Sequence, residues 1–156
     1  MTAFDLYNLV IYIAFLGVLW QVAKEDMKTM LISNRHHLMI LLLALMQIPV
    51  SGEISGIDRI LGAFAVSLPS FLCNVILPGS IGGGDVKLVF AAGFLLGSHR
   101  IVETACLGFI AAGVYGGLQL VRGKMKREDH FAFGPFLCGA MAISVLDCIG
   151  KILFGG

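Results

Sequence analysis

The stretch GGGDVKLVFAAGFLLG, residues 82–97, places three glycines and an aspartate at the start of an apolar segment. A carboxylate at membrane depth is expensive, about 2.5–3.5 kcal/mol at the centre of a spanning helix. Glycine has no Cβ, so it adopts positive φ angles and lets a second backbone approach closely. The position of Asp85 therefore needs an explanation. The neighbouring Gly82, Gly83 and Gly84 are candidates for part of it.

The composition of the whole chain indicates a lipid environment. Its 156 residues are 58% hydrophobic and 13% charged, which is more apolar surface than a soluble domain of this length can bury. This length suits one domain, so we expect residues 1–156 to form a single membrane-embedded unit. The net charge of +1 indicates no particular partner. We expect a lipid bilayer around the chain and no nucleic-acid partner.

Six apolar segments predict an all-α, polytopic membrane protein with about six transmembrane helices. The segments are Leu6–Ala23, Leu38–Val50, Ile60–Leu77, Val86–Gly97, Ile101–Val121 and Phe131–Phe154. A full crossing needs about 20 apolar residues, so the second and fourth segments are short. We interpret them as short crossings of a locally thinned bilayer, and re-entrant segments are the alternative.

The basic residues are distributed unevenly between the two sides of a six-span chain. Eight of the eleven fall on one side: Lys24, Lys28, Arg35, Lys87, Arg122, Lys124, Lys126 and Arg127. The other side has Arg59, Arg100 and Lys151. By the positive-inside rule the side with eight is cytoplasmic, which puts both termini outside. Dropping one span would scatter the basic residues over both faces, so the charge pattern supports the count of six.

Two acids from different segments fall on this predicted cytoplasmic face. Asp26 ends the first segment and Asp85 opens the fourth. Such a pair is what an aspartyl protease needs: one ionised carboxylate takes a proton from water, and the other, protonated, polarises the scissile carbonyl. Close carboxylates in a low dielectric share one proton. The simpler interpretation of Asp26 is an interfacial charge beside Lys24 and Lys28.

The three glycines fit the same hypothesis. A protease must hold its substrate extended, because a helix hides its peptide bonds. Gly82, Gly83 and Gly84 offer a bare backbone surface for an extended peptide beside Asp85. The alternative is a flexible turn in which Asp85 is the N-cap of the following helix. Lys87 is a candidate for contacting the substrate or steadying the ionised form of Asp85, or its side chain snorkels to lipid phosphate.

The sequence predicts no metal site and no cofactor. Each cysteine lies singly in an apolar stretch, as expected of a small buried hydrophobe. These cysteines are Cys73, Cys106, Cys138 and Cys148. His36 and His37 begin the second segment, and the other histidines are dispersed. A Gly-rich phosphate-binding loop is a poor fit, because the Lys and Ser/Thr that follow the glycines of a P-loop are missing.

Three blocks of the sequence together resemble the type IV prepilin peptidase family of membrane aspartic proteases. GGGDVKL, residues 82–88, matches the G-x-G-D signature with its following Lys-Leu. DMKTMLISN, residues 26–34, is similar to the family's first-aspartate segment, with Ser33 in place of the usual proline. FGPFL, residues 133–137, resembles a third segment near the last span. The blocks occur in the family's order and cover nearly the whole catalytic core.

The resemblance implies an activity and a catalytic pair. Asp26 and Asp85 would act together in a membrane aspartic endopeptidase that needs no metal. The substrate would be a type IV pilin-like precursor, cut at the cytoplasmic membrane face to release a short basic leader. Larger members carry an extra N-terminal region with paired cysteines and N-methylate the new pilin terminus with S-adenosylmethionine. This chain starts at the first span, so the resemblance implies the short form, with peptidase activity and no N-methylation.

Two functions of other classes remain as alternatives. In a small proton-coupled transporter, Asp26, Asp85 and Asp147 would be proton relays. That function needs acids near the midplane with access from both sides, whereas two of these three lie at one boundary. The other alternative is a non-catalytic membrane protein of pilus assembly, which would need no acid pair.

Overall fold

The described residues of the chain form six helices in the computed structural model. The structure describes residues 3–49, 54–78, 81–123 and 132–154. The helices are α1 (Ala3–Thr29), α2 (Asn34–Gln47), α3 (Gly56–Ile76), α4 (Gly83–Leu96), α5 (Ser98–Val121) and α6 (Gly134–Phe154). These four described ranges contain no β-strand, so the prediction of an all-α fold is confirmed.

Within the described ranges, four helices are long and apolar enough to cross a membrane: α1, α3, α5 and α6. Large apolar side chains are exposed along all four, and lipid is the solvent that such a surface requires. The prediction of a polytopic membrane protein is therefore confirmed. Helices α2 and α4 have 14 residues each. They are about 21 Å long at 1.5 Å per residue, shorter than a hydrocarbon core of about 30 Å. That they cross the membrane stays a prediction.

The helices extend beyond the apolar segments that predicted them. Helix α1 continues past Ala23 to Thr29, so Asp26 lies within its last turn. Helix α2 begins at Asn34 instead of Leu38, and α4 begins at Gly83 instead of Val86. Apolar composition marks only the part of a helix that lies in lipid or is buried in the protein core. Polar residues continue the helical backbone into the interface, where long polar side chains reach water.

Helix α4 is the centre of the fold. It packs against α2, α3 and α5, while α6 packs against α1 and α5. At the crossing of α3 and α4 the backbones of Gly62 and Gly93 touch, and a Cβ on either would overlap the other's backbone. Gly97 joins α4 to α5 at φ 82°, in the left-handed region that glycine alone enters without strain. These contacts fix the C-terminal end of α4, opposite the first turn that carries Asp85, relative to α3 and α5.

A buried polar cluster ties four helices together far from the two acids. Arg59 on α3 is 1% exposed and donates hydrogen bonds to Oε1 of Gln47 and to the Phe94 carbonyl, both at 3.2 Å. Gln47 donates in turn to Oδ1 of Asn8 on α1, at 3.3 Å. Asn8 lies about 27 Å from Asp26 along α1, at 1.5 Å per residue. This cluster is therefore a structural clamp and no part of the acid pair.

Candidate active site

Asp26 lies in the last turn of α1 with its carboxylate held by the start of α6. The side chain is 5% exposed. The Gly134 N–H donates a hydrogen bond of 2.9 Å to Oδ2 of Asp26. N–H groups in the first turn of a helix have no partner within the helix, and the positive end of the helix dipole favours an acceptor that carries negative charge. The last turn of α1 and the first turn of α6 are thus joined through Asp26.

Gly134 is a glycine because there is no room for a side chain. A Cβ at this position would lie 2.6 Å from Oδ2 and 3.0 Å from Cγ of Asp26. Gly134 and Pro135 belong to the FGPFL block, and Pro135 lies in the first turn of α6, where its missing N–H costs nothing. The sequence marked this block only by resemblance, and the structure shows its local reason.

Asp85 lies in the first turn of α4 and is 7% exposed. The N-cap position belongs to Gly82, whose carbonyl accepts the Asp85 N–H at 3.0 Å. The alternative in which Asp85 caps the helix is therefore wrong, and an acid inside the first turn still benefits from the helix dipole. Oδ1 of Asp85 is buried and has no hydrogen-bond partner within the described ranges.

The three glycines before Asp85 have different surroundings. A Cβ on Gly82 would lie 2.9 Å from Oδ2 of Asp85, and a Cβ on Gly84 would lie 3.1 Å from Cβ of Ile32. A Cβ on Gly83 would have nothing within 4 Å. Two of the glycines are thus required by the packing of the site. Gly83 is exposed and leaves bare backbone facing open space.

The two acids come together although they are distant in the sequence. The charge of Asp26 acts directly on the carboxyl group of Asp85. Both acids also act on the buried thiol of Cys138, one turn along α6 from Gly134. The site therefore lies where the end of α1 and the starts of α4 and α6 meet. Two carboxylates in such a buried place cannot both be ionised without a large cost.

The start of α2 is bonded to the start of α4 by two side chains. Nε2 of His37 lies 2.9 Å from the Gly84 carbonyl oxygen, and Nζ of Lys87 donates to Oδ1 of Asn34 at 3.1 Å. Lys87 is exposed. Sequence reasoning considered His37 only as a weak metal ligand and missed this contact. The one available signal was a histidine at a helix start in a protein with few polar residues near its apolar segments.

The other polar residues are engaged elsewhere. His36 Nδ1 lies 3.2 Å from Oε2 of Glu25. Asp147 pairs with Lys151 on the surface of α6, at 2.7 Å. Asp147 lies about 20 Å along α6 from Gly134, at 1.5 Å per residue, so the structure does not bring this third acid to the pair. No cluster of metal-ligating side chains occurs in the part of the chain that the structure describes.

An apolar groove opens beside Asp85. It lies between α2, α3 and α4 and has a volume of about 580 Å³. Its walls include Leu38, Leu41, Phe64, Leu68, Phe71 and Phe90. Asn34, His37 and Lys87 lie at the end nearest Asp85, and Val86 lines the groove directly after that acid. The groove is thus polar at one end and, apart from Ser67, apolar along the rest of its length.

The sequence matches a family and several curated proteins. Residues 13–117 match the model of the type IV leader peptidase family. A prepilin leader peptidase/N-methyltransferase of Bacillus subtilis (strain 168) is 28% identical over 138 residues, 86% of this chain and 54% of that protein. A protein of the same name from Burkholderia pseudomallei (strain 1026b) is 34% identical over 77 residues, 49% of this chain and 25% of that protein.

The matches cover only part of each relative's length. The chain spans about half the length of the Bacillus subtilis relative and a quarter of the Burkholderia pseudomallei relative. The family match begins within α1 and ends within α5. It therefore includes both acids but not the FGPFL block. No solved structure matches the chain significantly.

Proposed function

Since the chain belongs to the type IV leader peptidase family, whose model matches residues 13–117, we propose that it is a membrane aspartic endopeptidase. Its substrate is a type IV pilin-like precursor, from which it removes the leader peptide. Asp26 and Asp85 are the catalytic residues. The relatives' names contain the leader peptidase activity, and the pair of acids supplies the chemistry for it.

One observation carries this proposal: a buried acid from α1 and a buried acid from α4 lie close enough for the charge of Asp26 to affect the Asp85 carboxyl group. Burying two carboxylates together is costly unless the arrangement has a use, because each loses hydration and each repels the other's charge. Aspartic proteases use such a pair for peptide hydrolysis. Among the described residues, no basic side chain forms an ion pair with either acid, so simple charge neutralisation does not explain them.

The surroundings of the two acids support different roles for them. The Gly134 N–H donates to Asp26, and a hydrogen bond of this kind favours the ionised form. Asp26 is therefore the base. Asp85 has a buried oxygen with no partner in the described structure, so Asp85 holds the proton and donates it to the substrate carbonyl.

The proton transfers then balance. Asp26 takes a proton from water as the water oxygen bonds to the scissile carbonyl carbon, and Asp85 gives its proton to the carbonyl oxygen. In the tetrahedral intermediate the C–N bond breaks as Asp26 passes its proton to the leaving amine. Asp85 recovers a proton from a hydroxyl of the intermediate as the new carboxyl group forms. Each acid returns to its starting state.

The substrate contacts follow from the shape of the surface. The bare backbone of Gly82, Gly83 and Gly84 receives the extended segment that contains the scissile bond. Lys87, which is exposed two positions after Asp85, contacts the same segment. No metal and no cofactor enter this mechanism.

The groove between α2, α3 and α4 receives an apolar segment of the same precursor. Its lining begins at Val86, the residue directly after Asp85, and continues between apolar helix faces. Its volume of about 580 Å³ lies within the usual range of ligand pockets, about 300–1,000 Å³. That volume suits a few apolar side chains close to the cut.

The orientation and scope of the activity complete the proposal. The site faces the cytoplasm and both termini lie outside, as supported by Lys24 and Lys28 in the last two turns of α1, near Asp26. Residues 1–156 act as one peptidase domain and do not N-methylate the product. The matching family is named for leader peptidase activity alone, whereas the relatives' names contain both activities.

The test is leader removal from a type IV prepilin by the purified chain in lipid nanodiscs, followed on a gel and by mass spectrometry. We expect the wild-type chain to cleave the prepilin and leave an unmethylated terminus, even with S-adenosylmethionine present. Asp26→Asn and Asp85→Asn should each lose cleavage by several orders of magnitude. Asp147→Asn is the matched control and should cleave at the wild-type rate. Wild-type activity in either of the first two variants would refute the acid pair.

A further inference from the structure

His37 is a buried titratable side chain that the proposed mechanism leaves unused. It lies in the first turns of α2 and is 8% exposed. Its Nε2 lies 2.9 Å from the Gly84 carbonyl oxygen. A carbonyl oxygen only accepts hydrogen bonds, so Nε2 carries the proton and donates. Nδ1 is buried and has no hydrogen-bond partner among the described residues.

The bonded carbonyl belongs to the peptide group that leads into Asp85. The Gly84 C=O and the Asp85 N–H lie in one rigid plane, because the peptide bond does not rotate. A donor that fixes the direction of this carbonyl therefore fixes the backbone nitrogen of Asp85. It also restricts the direction in which the Asp85 side chain leaves the backbone.

The first turn of α4 needs this support because its own sequence gives it little. Glycine is about 0.8–1.0 kcal/mol less favourable than alanine in a helix interior, and Gly83 and Gly84 open the helix. Gly82 has no side chain that could cap it. The bond from His37 comes from another helix, and the Lys87–Asn34 bond joins the same two helix starts at 3.1 Å.

We propose that His37 is a positioning residue for Asp85: its imidazole N–H holds the Gly84 carbonyl and so keeps the Asp85 carboxyl where it meets Asp26. This inference rests on the proposed function. The hydrogen bond of His37 ends on the Gly84 carbonyl and not on either carboxyl group. Its loss should therefore lower the rate of the chemical step. Because His37 also lines the groove, this effect is measured on a short peptide that leaves the groove empty.

The kinetic test uses the full chain in nanodiscs, with His37→Leu, His37→Gln and the control His99→Leu. His99 is exposed on α5 and pairs with Glu103 of its own helix. On a short soluble peptide around the cut, which leaves the groove lined by His37 empty, we expect His37→Leu to lower kcat roughly 10- to 100-fold with little change in KM, because small displacements of a catalytic group have effects of this size. His37→Gln should recover most of the loss, since its amide N–H reaches a similar point. His99→Leu should behave as wild type.

Other kinetic outcomes overturn the inference. A His37→Leu variant with wild-type kcat would show that the bond does not matter to the reaction. Loss of kcat in His37→Leu together with reduced thermal stability, and with no recovery in His37→Gln, would show a role in folding alone.

A second measurement does not depend on activity or on stable variants. In ¹⁵N-histidine-labelled wild-type chain, NMR should show the neutral tautomer of His37 with the proton on Nε2. The opposite tautomer would contradict the proposed bond. If the wild-type chain cleaves no prepilin, the proposed function fails while this spectrum still tests the contact. If wild type is active and His37→Leu is equally active, the inference fails alone.

Discussion

Asp26 and Asp85 are both buried at helix ends, yet the protein holds them in different ways. The carboxylate of Asp26 accepts a hydrogen bond directly from the Gly134 N–H. The carboxylate of Asp85 has one buried oxygen without a partner in the described structure, and the contacts that fix this residue act on its backbone through Gly82 and Gly84. The contact at Asp26 is made by its carboxylate, whereas the contacts at Asp85 are made by the backbone of Asp85 and of the glycine before it.

This difference is what two acids with different protonation states need. A direct N–H donor stabilises a negative charge, which suits a base. A carboxyl group that must give its proton to a substrate is better left without a competing partner, provided that its backbone is fixed. The comparison therefore predicts that changes near Asp26 and changes near Asp85 have different sizes and different kinetic signatures.

The largest effect is expected at Gly134, where the contact with the acid is direct. In Gly134→Ala the new methyl group would lie 2.6 Å from Oδ2 of Asp26, so the carboxylate must move and lose its N–H donor. We expect kcat to fall about 100-fold in a prepilin cleavage assay. Gly139→Ala is the matched control on the same helix, because a Cβ there has nothing within 4 Å. Equal activity of the two variants would show that the contact between Gly134 and Asp26 does not matter to the reaction.

Smaller effects are expected at Gly82 and Gly83, on kcat at the first position and on KM at the second. The methyl group of Gly82→Ala would lie 2.9 Å from Oδ2 of Asp85, so kcat should fall roughly tenfold. The methyl group of Gly83→Ala meets no atom of the described chain within 4 Å and can disturb only a bound peptide. In Gly83→Ala we therefore expect KM to rise a few-fold with kcat unchanged. Michaelis–Menten kinetics on prepilin separate the two, and the reverse pattern would refute the assignment of these glycines.

The smallest effect is expected in the groove. Leu68 lines the groove from α3 and is 50% exposed, so Leu68→Trp should fold and fill part of the space. KM for full-length prepilin should rise a few-fold, while a short soluble peptide around the cut should be cleaved as by wild type. Ile110→Trp, on the exposed face of α5, is the control and should change neither rate.

Crosslinking identifies the occupant of the groove. A photoreactive amino acid at Leu68 should crosslink to prepilin. Crosslinks to lipid or to a second copy of the chain, with none to prepilin, would contradict the proposed occupant.

The sequence predicted the helices well and singled out Asp26 and Asp85 as candidates because both signals are local. Apolar composition marks each helix that needs lipid or core, and an acid at the end of an apolar segment is conspicuous wherever the segment packs. The contacts of Gly134 with Asp26 and of His37 with Gly84 are different. Each joins residues from separate helices, and the spacing along a single chain contains no information on which helix ends meet.

The helix boundaries show the same limit on a smaller scale. The last turn of α1 and the first turn of α2 are polar, so apolar composition could not include them. Both turns belong to the site: the last turn of α1 contains Asp26 and the first turn of α2 contains His37. The sequence also did not predict the polar cluster of Arg59 and Gln47, because a buried arginine is indistinguishable in sequence from an interfacial one.

The central claim is that the side chains of residues 26 and 85 meet in the folded protein, and crosslinking tests it most directly. Asp26→Cys and Asp85→Cys are combined in a chain whose four native cysteines are replaced by alanine, and a short bifunctional thiol reagent is added in nanodiscs. Mass spectrometry should find the two positions joined within one chain, whereas the control pair Asp26→Cys with Asp147→Cys should stay unjoined. A chain in which positions 26 and 85 both react singly and never crosslink would contradict the account.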